Sequence, residues 1–283
     1  MTASKMNQAA EKVRRGVERS AERPWLERAA RLGYAAKGLV YLLIGGLAAL
    51  AALRAPGGTT TDRSGAMKEI ALKPYGWALL GLLAAGLVGY AIWNVVRAIV
   101  DFDQRGSDLK GRAIRVGYAA VAVSYVLGAI TAVRLLINAR QEVDGGVQTW
   151  TARLLGQPFG VWLLYAAAGI IGAIAVAQLY RAWSANFAEY LHITPADGVN
   201  HAWVVRLGRV GYAARGIVFG LIALTLAMAG LRHNPEQAKG MDDVLADLAA
   251  KPYGRLLLGV VAAGLFAYGV FALVQARYRR INR

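Results

Sequence analysis

Two basic side chains stand inside otherwise apolar stretches of this 283-residue chain, and they are the first candidates for chemistry. Lys37 interrupts the run 32–53 and Arg215 interrupts 210–231 at the equivalent place. A cation among hydrocarbon is costly, so such residues are functional candidates by default. Both stand one turn inside the edge of their run, however. Long stems can carry such charges back to the headgroups, so anchoring is the expected role. Arg134, near the other edge of its run, reads the same way. Arg97 and Arg181 occupy equivalent helix ends, where the third copy has Gln275, and read as topology and lipid anchors.

The remaining chemistry is sparse. No Asp or Glu lies deep in any apolar run, which counts against a carboxylate-based proton pump or cation site. His192, His201 and His233 lack ligand-like spacing. With no cysteine, thiolate chemistry and disulfides are excluded. Neither a phosphate-binding glycine loop nor a Gly-x-Ser-x-Gly elbow is present. Ser124, Thr131 and Thr225 are isolated hydroxyls. The expectation is a protein without catalytic, cofactor-binding or metal-binding residues, and not an enzyme.

A third feature is periodic. Tyr34, Gly38, Tyr41 and Gly45 fall at offsets 0, 4, 7 and 11 and therefore share one helix face. The same face recurs as Tyr118, Ala122, Tyr125 and Ala129, and again as Tyr212, Gly216, Phe219 and Ala223. Alternating aromatic and small residues suit a close helix seam in lipid, where packing drives association. The alternative is an aromatic-lined cavity or pathway.

These residues must be positioned by membrane-spanning helices. The chain is 57% hydrophobic, above the usual ~45–50% of soluble domains, and the excess lies in six long runs nearly free of charge. Each is long enough to cross ~30 Å of hydrocarbon. Polar residues at helical spacing, as in soluble bundles, are missing from the runs, and so is the alternation of membrane strands. The net charge is +16. Because the charges lie between the runs, anionic lipid is the expected partner and nucleic acid is not. No secretory leader is expected at the start.

The organisation is threefold. Gly33 to Pro74, Gly117 to Pro158 and Gly211 to Pro252 each span 41 positions. The first motif is Arg31-Leu32-Gly33-Tyr34-Ala35-Ala36-Lys37-Gly38, repeated from Arg209 and more weakly from Arg115. The second is Pro74-Tyr75-Gly76, Pro158-Phe159-Gly160 and Pro252-Tyr253-Gly254. Proline suits the first helical position, and the aromatics Tyr75, Phe159 and Tyr253 suit the interface. Small residues four apart on the second helices (Gly81, Ala85, Gly89; Gly169, Ala173; Gly259, Ala263, Ala267) predict further close packing. Between the two spans of each unit, Met67 and Ile70, Thr151 and Leu154, and Leu245 and Leu248 predict a short amphipathic helix at the surface.

Two crossings return the chain to its starting side, so successive units are parallel, about an axis along the membrane normal. Lys and Arg on the side of the termini outnumber those on the other side eighteen to nine, which places both termini in the cytoplasm. The residues divide as follows: a basic tail (1–30), repeats at 31–100, 115–181 and 209–276, linkers at 101–114 and 182–208, and a basic end (277–283).

The thrice-repeated Gly-Tyr-Ala-Ala and Pro-aromatic-Gly pattern resembles the bacterial membrane proteins grouped as domain of unknown function 1206, over residues 31–278. The resemblance implies a bacterial inner-membrane location and three paired-helix repeats. That family carries no established activity, so it transfers no residue roles. The middle repeat departs from the pattern, with Val121-Ala122 where the others have a basic residue and Gly. The expected fold is an all-α polytopic bundle of six transmembrane helices, built as three parallel repeats with pseudo-threefold symmetry and short amphipathic outer helices. The expected function is a non-enzymatic scaffold or a partner- or lipid-binding protein. The alternative is a transporter or channel with its pathway near the pseudo-threefold axis.

Overall fold

Within a bilayer an unsatisfied peptide group costs several kcal/mol, so a long apolar run crosses as a helix that satisfies its own backbone. The computed structural model describes residues 24–53, 58–72, 74–99, 109–138, 146–191, 193 and 199–278. These contain nine α-helices: α1 (Pro24–Ala52), α2 (Arg63–Ala71), α3 (Gly76–Ile99), α4 (Leu109–Ile137), α5 (Val147–Leu155), α6 (Gly160–Ser184), α7 (His201–Arg232), α8 (Met241–Ala250) and α9 (Gly254–Tyr278). Six of them, α1, α3, α4, α6, α7 and α9, are long and apolar enough to cross a membrane. At 1.5 Å per residue even a 23-residue span reaches about 35 Å. Most of the basic tail (1–23) lies outside the described residues, as does His192.

Each unit is a long helix, a short outer helix and a second long helix. The outer helices α2, α5 and α8 turn Met67, Thr151 and Leu245 inward, all three buried, in line with the amphipathic spacing. The turn from outer helix into second span is the same in all three units. Tyr75, Phe159 and Tyr253 adopt left-handed backbone (φ 62°, 63° and 58°), and the spans begin at Gly76, Gly160 and Gly254. The prolines therefore stand two residues ahead of the helix, in the turn, and not at the first helical position expected from sequence. Glycine is required next because the chain folds back onto the outer helix. A Cβ on Gly76 would meet the carbonyl oxygens of Ile70 and Ala71, on Gly160 that of Leu154, and on Gly254 those of Leu248 and Ala249. The aromatic side chains themselves are exposed.

Between units the second span of one meets the first span of the next: α3 with α4, α6 with α7, and α9 back with α1. Within units the behaviour splits. The pairs α1–α3 and α7–α9 pack along their length, while α4 and α6 share no extended interface among the described residues. The six spans therefore form an arc, in the order α4, α3, α1, α9, α7, α6.

The residues explain the split. Helices in lipid approach closely only where small residues face each other. In the first unit Gly33 lies against the backbone of Tyr90 and Gly86 against Ala36. In the third, Gly211 lies against Tyr268 and Gly264 against Ala214. By register the second unit has Ile170 in place of Gly86 and Gly264, and Ile174 in place of Tyr90 and Tyr268. Ile170 is 61% exposed, and a Cβ on Gly117 would meet nothing within 4 Å. The small-residue stripe expected on the second helices is displaced accordingly. Gly81 and Gly169 have open space around the Cβ position, Ala85, Ala173 and Ala263 are exposed, and only Gly89 and Ala267 of that set are buried. The close seam runs through Gly86 and Gly264 instead.

Candidate functional site: an aromatic and cationic layer

The triplicated face is used for packing: Tyr41 and Tyr125 meet rings across the inter-unit seams, while Tyr34 and Tyr212 meet rings of their own unit's second span. Tyr34, Gly38, Tyr41 and Gly45 on α1 are buried, as are Ala122, Tyr125 and Ala129 on α4 and Tyr212 and Gly216 on α7; Tyr118, Phe219 and Ala223 are half-buried. The small members are used for contact. A Cβ on Gly38 would stand 2.8 Å from Leu273 Cδ2, on Gly45 2.8 Å from the Ala262 carbonyl oxygen, and on Gly216 2.7 Å from Leu179.

The aromatic members meet rings from the second helices that sequence reasoning did not select. Tyr90 on α3 packs edge-on to Tyr34 with centroids 5.0 Å apart and lies 4.5 Å from Tyr125. Tyr268 on α9 is edge-on to Tyr41 at 4.9 Å and to Tyr212 at 5.4 Å. Phe187, in the short 3-10 helix after α6, adds contacts to Tyr212 and Phe271 at 5.1 and 4.9 Å. Such contacts add about 0.5–1.5 kcal/mol each beyond area burial. The signal that could have selected Tyr90 and Tyr268 is that both stand sixteen residues after the motif proline.

The two intramembrane cations sit in this layer, contrary to the expectation that they reach the headgroups. Lys37 is 8% exposed, with its Nζ 4.7 Å from the Tyr268 centroid, 5.5 Å from that of Tyr90 and 5.9 Å from that of Tyr34. Arg215 donates from Nη1 to the Tyr268 hydroxyl at 2.7 Å. Its Cζ lies 4.4 Å from the Tyr268 centroid, 5.0 Å from that of Tyr41 and 5.2 Å from that of Phe219. With the Gln178 amide oriented oxygen-inward, that oxygen accepts from Nη1 at 2.7 Å and from Nη2 at 3.3 Å. Ring faces carry negative potential and attract cations, more strongly when desolvated. This interior attraction holds both side chains where water does not compete. Tyr268 lies between the two charges and touches both.

Arginines counted only as topology charges do something more specific. Arg31 donates to the carbonyls of Ala276 and Arg277 at 3.2 and 2.5 Å. Arg115 donates to those of Ala98 and Ile99, both at 2.7 Å. Arg209 donates to that of Trp183 at 3.3 Å. These are equivalent residues, each closing the C-terminal end of the preceding unit's second span, with α1 clasping α9. The last carbonyls of a helix have no internal partner and carry the negative end of its dipole, so a guanidinium there satisfies both. Arg97, expected as an anchor, donates to the Tyr118 hydroxyl at 2.6 Å and stacks over that ring at 3.9 Å. Its counterpart Arg181 is exposed, and Gln275 is buried.

A helical protein with six candidate membrane spans and an aromatic and cationic interior layer is a multi-pass membrane protein built on a repeated two-span unit. The chain belongs to the family Domain of Unknown Function (DUF1206), whose model matches three tandem copies, at residues 32–101, 116–185 and 210–279. It is similar to the uncharacterized protein YxxB of Bacillus subtilis (strain 168), with 36% identity over 266 residues, covering 92% of this chain and 94% of that one. No solved structure matches it.

Proposed function

We propose that this chain is a non-enzymatic protein of the bacterial cytoplasmic membrane that binds anionic lipid and partner proteins as a scaffold. One observation carries this reading: the triplicated face is consumed by packing. Tyr34, Tyr41, Tyr125 and Tyr212 are buried against rings of neighbouring helices, and the small residues between them meet side chains and backbone. A face used in this way holds helices together and leaves its rings little freedom to line a solute path. Both termini lie in the cytoplasm on this reading, supported by the Lys and Arg bias. A pseudo-threefold axis along the membrane normal is supported by the arginine clasps, which recur from α3 to α4, from α6 to α7 and from α9 to α1.

The second reading, a transporter or channel, draws on the inward placement of Lys37 and Arg215. Flux decides between the two. Liposomes holding only this protein should leak neither chloride, phosphate nor small organic anions above the rate of empty vesicles, and saturable flux would overturn the scaffold reading. Extraction into polymer-bounded native discs should yield a reproducible excess of anionic lipid or a constant protein companion. Bulk membrane lipid with no such companion would equally overturn it.

A further inference from the structure

We propose that the gap between α4 and α6 admits one anionic amphiphile, whose oxyanion head pairs with Arg215 and whose acyl chain fills the unpaired seam of the middle repeat. The inference rests on the lipid-binding reading above and assigns it a specific site.

The argument begins with unmet donors. A guanidinium offers five N–H groups and no acceptor. Gln178 and Tyr268 engage Nη1 and Nη2 and take at most three of them, and Nε has no partner among the described residues. Both acceptors are neutral, so the protein contacts that orient Arg215 leave its charge uncompensated. The membrane-spanning stretches contain no Asp or Glu to provide compensation, and Glu27, at the start of α1, pairs with Arg31. Removing a charge from water is repaid only by close pairing and full hydrogen bonding. Inside a membrane such residues face a cavity or a partner. A carboxylate or phosphate oxygen supplies what is missing, and arginine holds such oxyanions as a planar fork.

Depth and access agree. Arg215 follows Arg209 by six residues on α7, which puts it about 9 Å further into the span. Its hydrogen bonds to the interior hold it there, so the ligand's head must come inward. The residue as a whole is part-buried while Nε itself is enclosed, so the ligand's head must part the side chains around it. The other adjacent spans around the arc meet in extended interfaces, whereas α4 and α6 do not. The route left within the membrane is therefore lateral, between those two helices.

The walls of that route select a chain. Gly117, Ala120, Ile170 and Ile174 occupy the positions that form the closed seam within the other two units, and here all four are exposed. The surface is apolar and sized for another helix or for hydrocarbon. A charged head at one end of an apolar slot describes an amphiphile better than a free ion. It is also the middle unit that lacks a cation of its own, with Val121 at the position of Lys37 and Arg215.

The test uses the full chain in detergent, stripped of bulk lipid and then exchanged against phosphatidylglycerol, phosphatidylcholine, oleate or inorganic phosphate. Bound species are counted by native mass spectrometry. Wild type should retain one phosphatidylglycerol or oleate per chain, and phosphatidylcholine should not replace it. Arg215→Gln should lower that occupancy at least about tenfold, while Arg255→Gln, an exposed cation elsewhere, leaves it unchanged. Ala120→Trp should block the slot without altering charge and give a similar loss. This variant keeps the test decisive if Arg215→Gln does not fold. Equal occupancy in folded wild type and Ala120→Trp overturns the site. Displacement of the amphiphile by inorganic phosphate alone overturns the role of the chain. Either result leaves the broader lipid-binding reading standing, because that reading is tested separately by the lipid composition of native discs.

Discussion

The first and third repeats and the middle repeat share one plan and one spacing, yet they fold differently at their centres. In the outer two, glycine at position 86 or 264 lets the paired spans close over a tyrosine, and a cation from the first span settles against that ring. In the middle repeat an isoleucine stands at the glycine position, another replaces the tyrosine, and valine replaces the cation. The result is a pair of spans joined in sequence but parted in space. Each belongs instead to its neighbouring unit, α4 to α3 and α6 to α7. The contrast shows that the inter-unit seam, common to all three copies, is the stronger element of the architecture. The intra-unit seam is optional and is decided by a few side chains.

The largest test of this contrast is steric. Gly264→Ile should cost about 3 kcal/mol or more, at the upper end for overpacking, because its Cβ would fall on Ala214. Gly117→Ile, which meets open space, should stay within about 0.5 kcal/mol. Thermal unfolding followed by circular dichroism in one detergent separates the two. Equal destabilisation would mean that α4 and α6 close on each other after all.

Next in size is a covalent reading of the same difference. The chain has no cysteine, so introduced pairs have no background. Ala36→Cys with Gly86→Cys should cross-link on mild oxidation, since the Cβ positions abut. Ala120→Cys with Ile170→Cys, the equivalent pair, should remain reduced. Comparable cross-linking in the middle repeat, read as a mobility shift after cleavage in the intervening loop, would break the comparison.

The arginine clasps should give smaller effects and grade them. Arg31→Gln and Arg115→Gln each remove bonds to two helix-end carbonyls and should cost about 1–2 kcal/mol. Arg209→Gln, with one longer bond, should cost less. An equal loss at all three would show that charge alone matters, as the topology reading assumed. The smallest effect belongs to the turn that all three units share. Tyr75→Gly, Phe159→Gly and Tyr253→Gly should each relieve about 1 kcal/mol of left-handed strain, offset in vesicles by loss of an interfacial ring. The gain should therefore appear in detergent and shrink in lipid, alike for the three sites.

Much of this molecule is legible in its residues because membranes simplify the problem. Length and charge-free composition suffice to place six spans, and the fixed interval from Gly33 to Pro74 and its two copies suffices to define the unit. The outer helices follow from the positions of Met67, Thr151 and Leu245. The aromatic face was readable as one face, and as a seam, from its spacing alone. The glycines of the closed seam were less readable, because Gly81 and Gly86 look alike on a helix that is apolar all round. With no polar side to mark its orientation, only the neighbour tells which glycine is covered. The direction taken by Lys37 and Arg215 was misread for a related reason. A long side chain can swing outward to headgroups or inward to rings, and one helix considered alone does not show where the rings of its neighbours lie.

The sequence by itself determined the number of spans and the three tandem copies, since these depend on local composition and on spacing along one chain. Only the tertiary structure decided that the arc opens between α4 and α6, that two cations turn inward around Tyr268, and that Arg31, Arg115 and Arg209 close the helix ends of the units before them. Those outcomes depend on which surfaces meet. In a lipid solvent as apolar as the side chains themselves, that choice rests on shape and on the few hydrogen bonds that distant parts of the chain bring together.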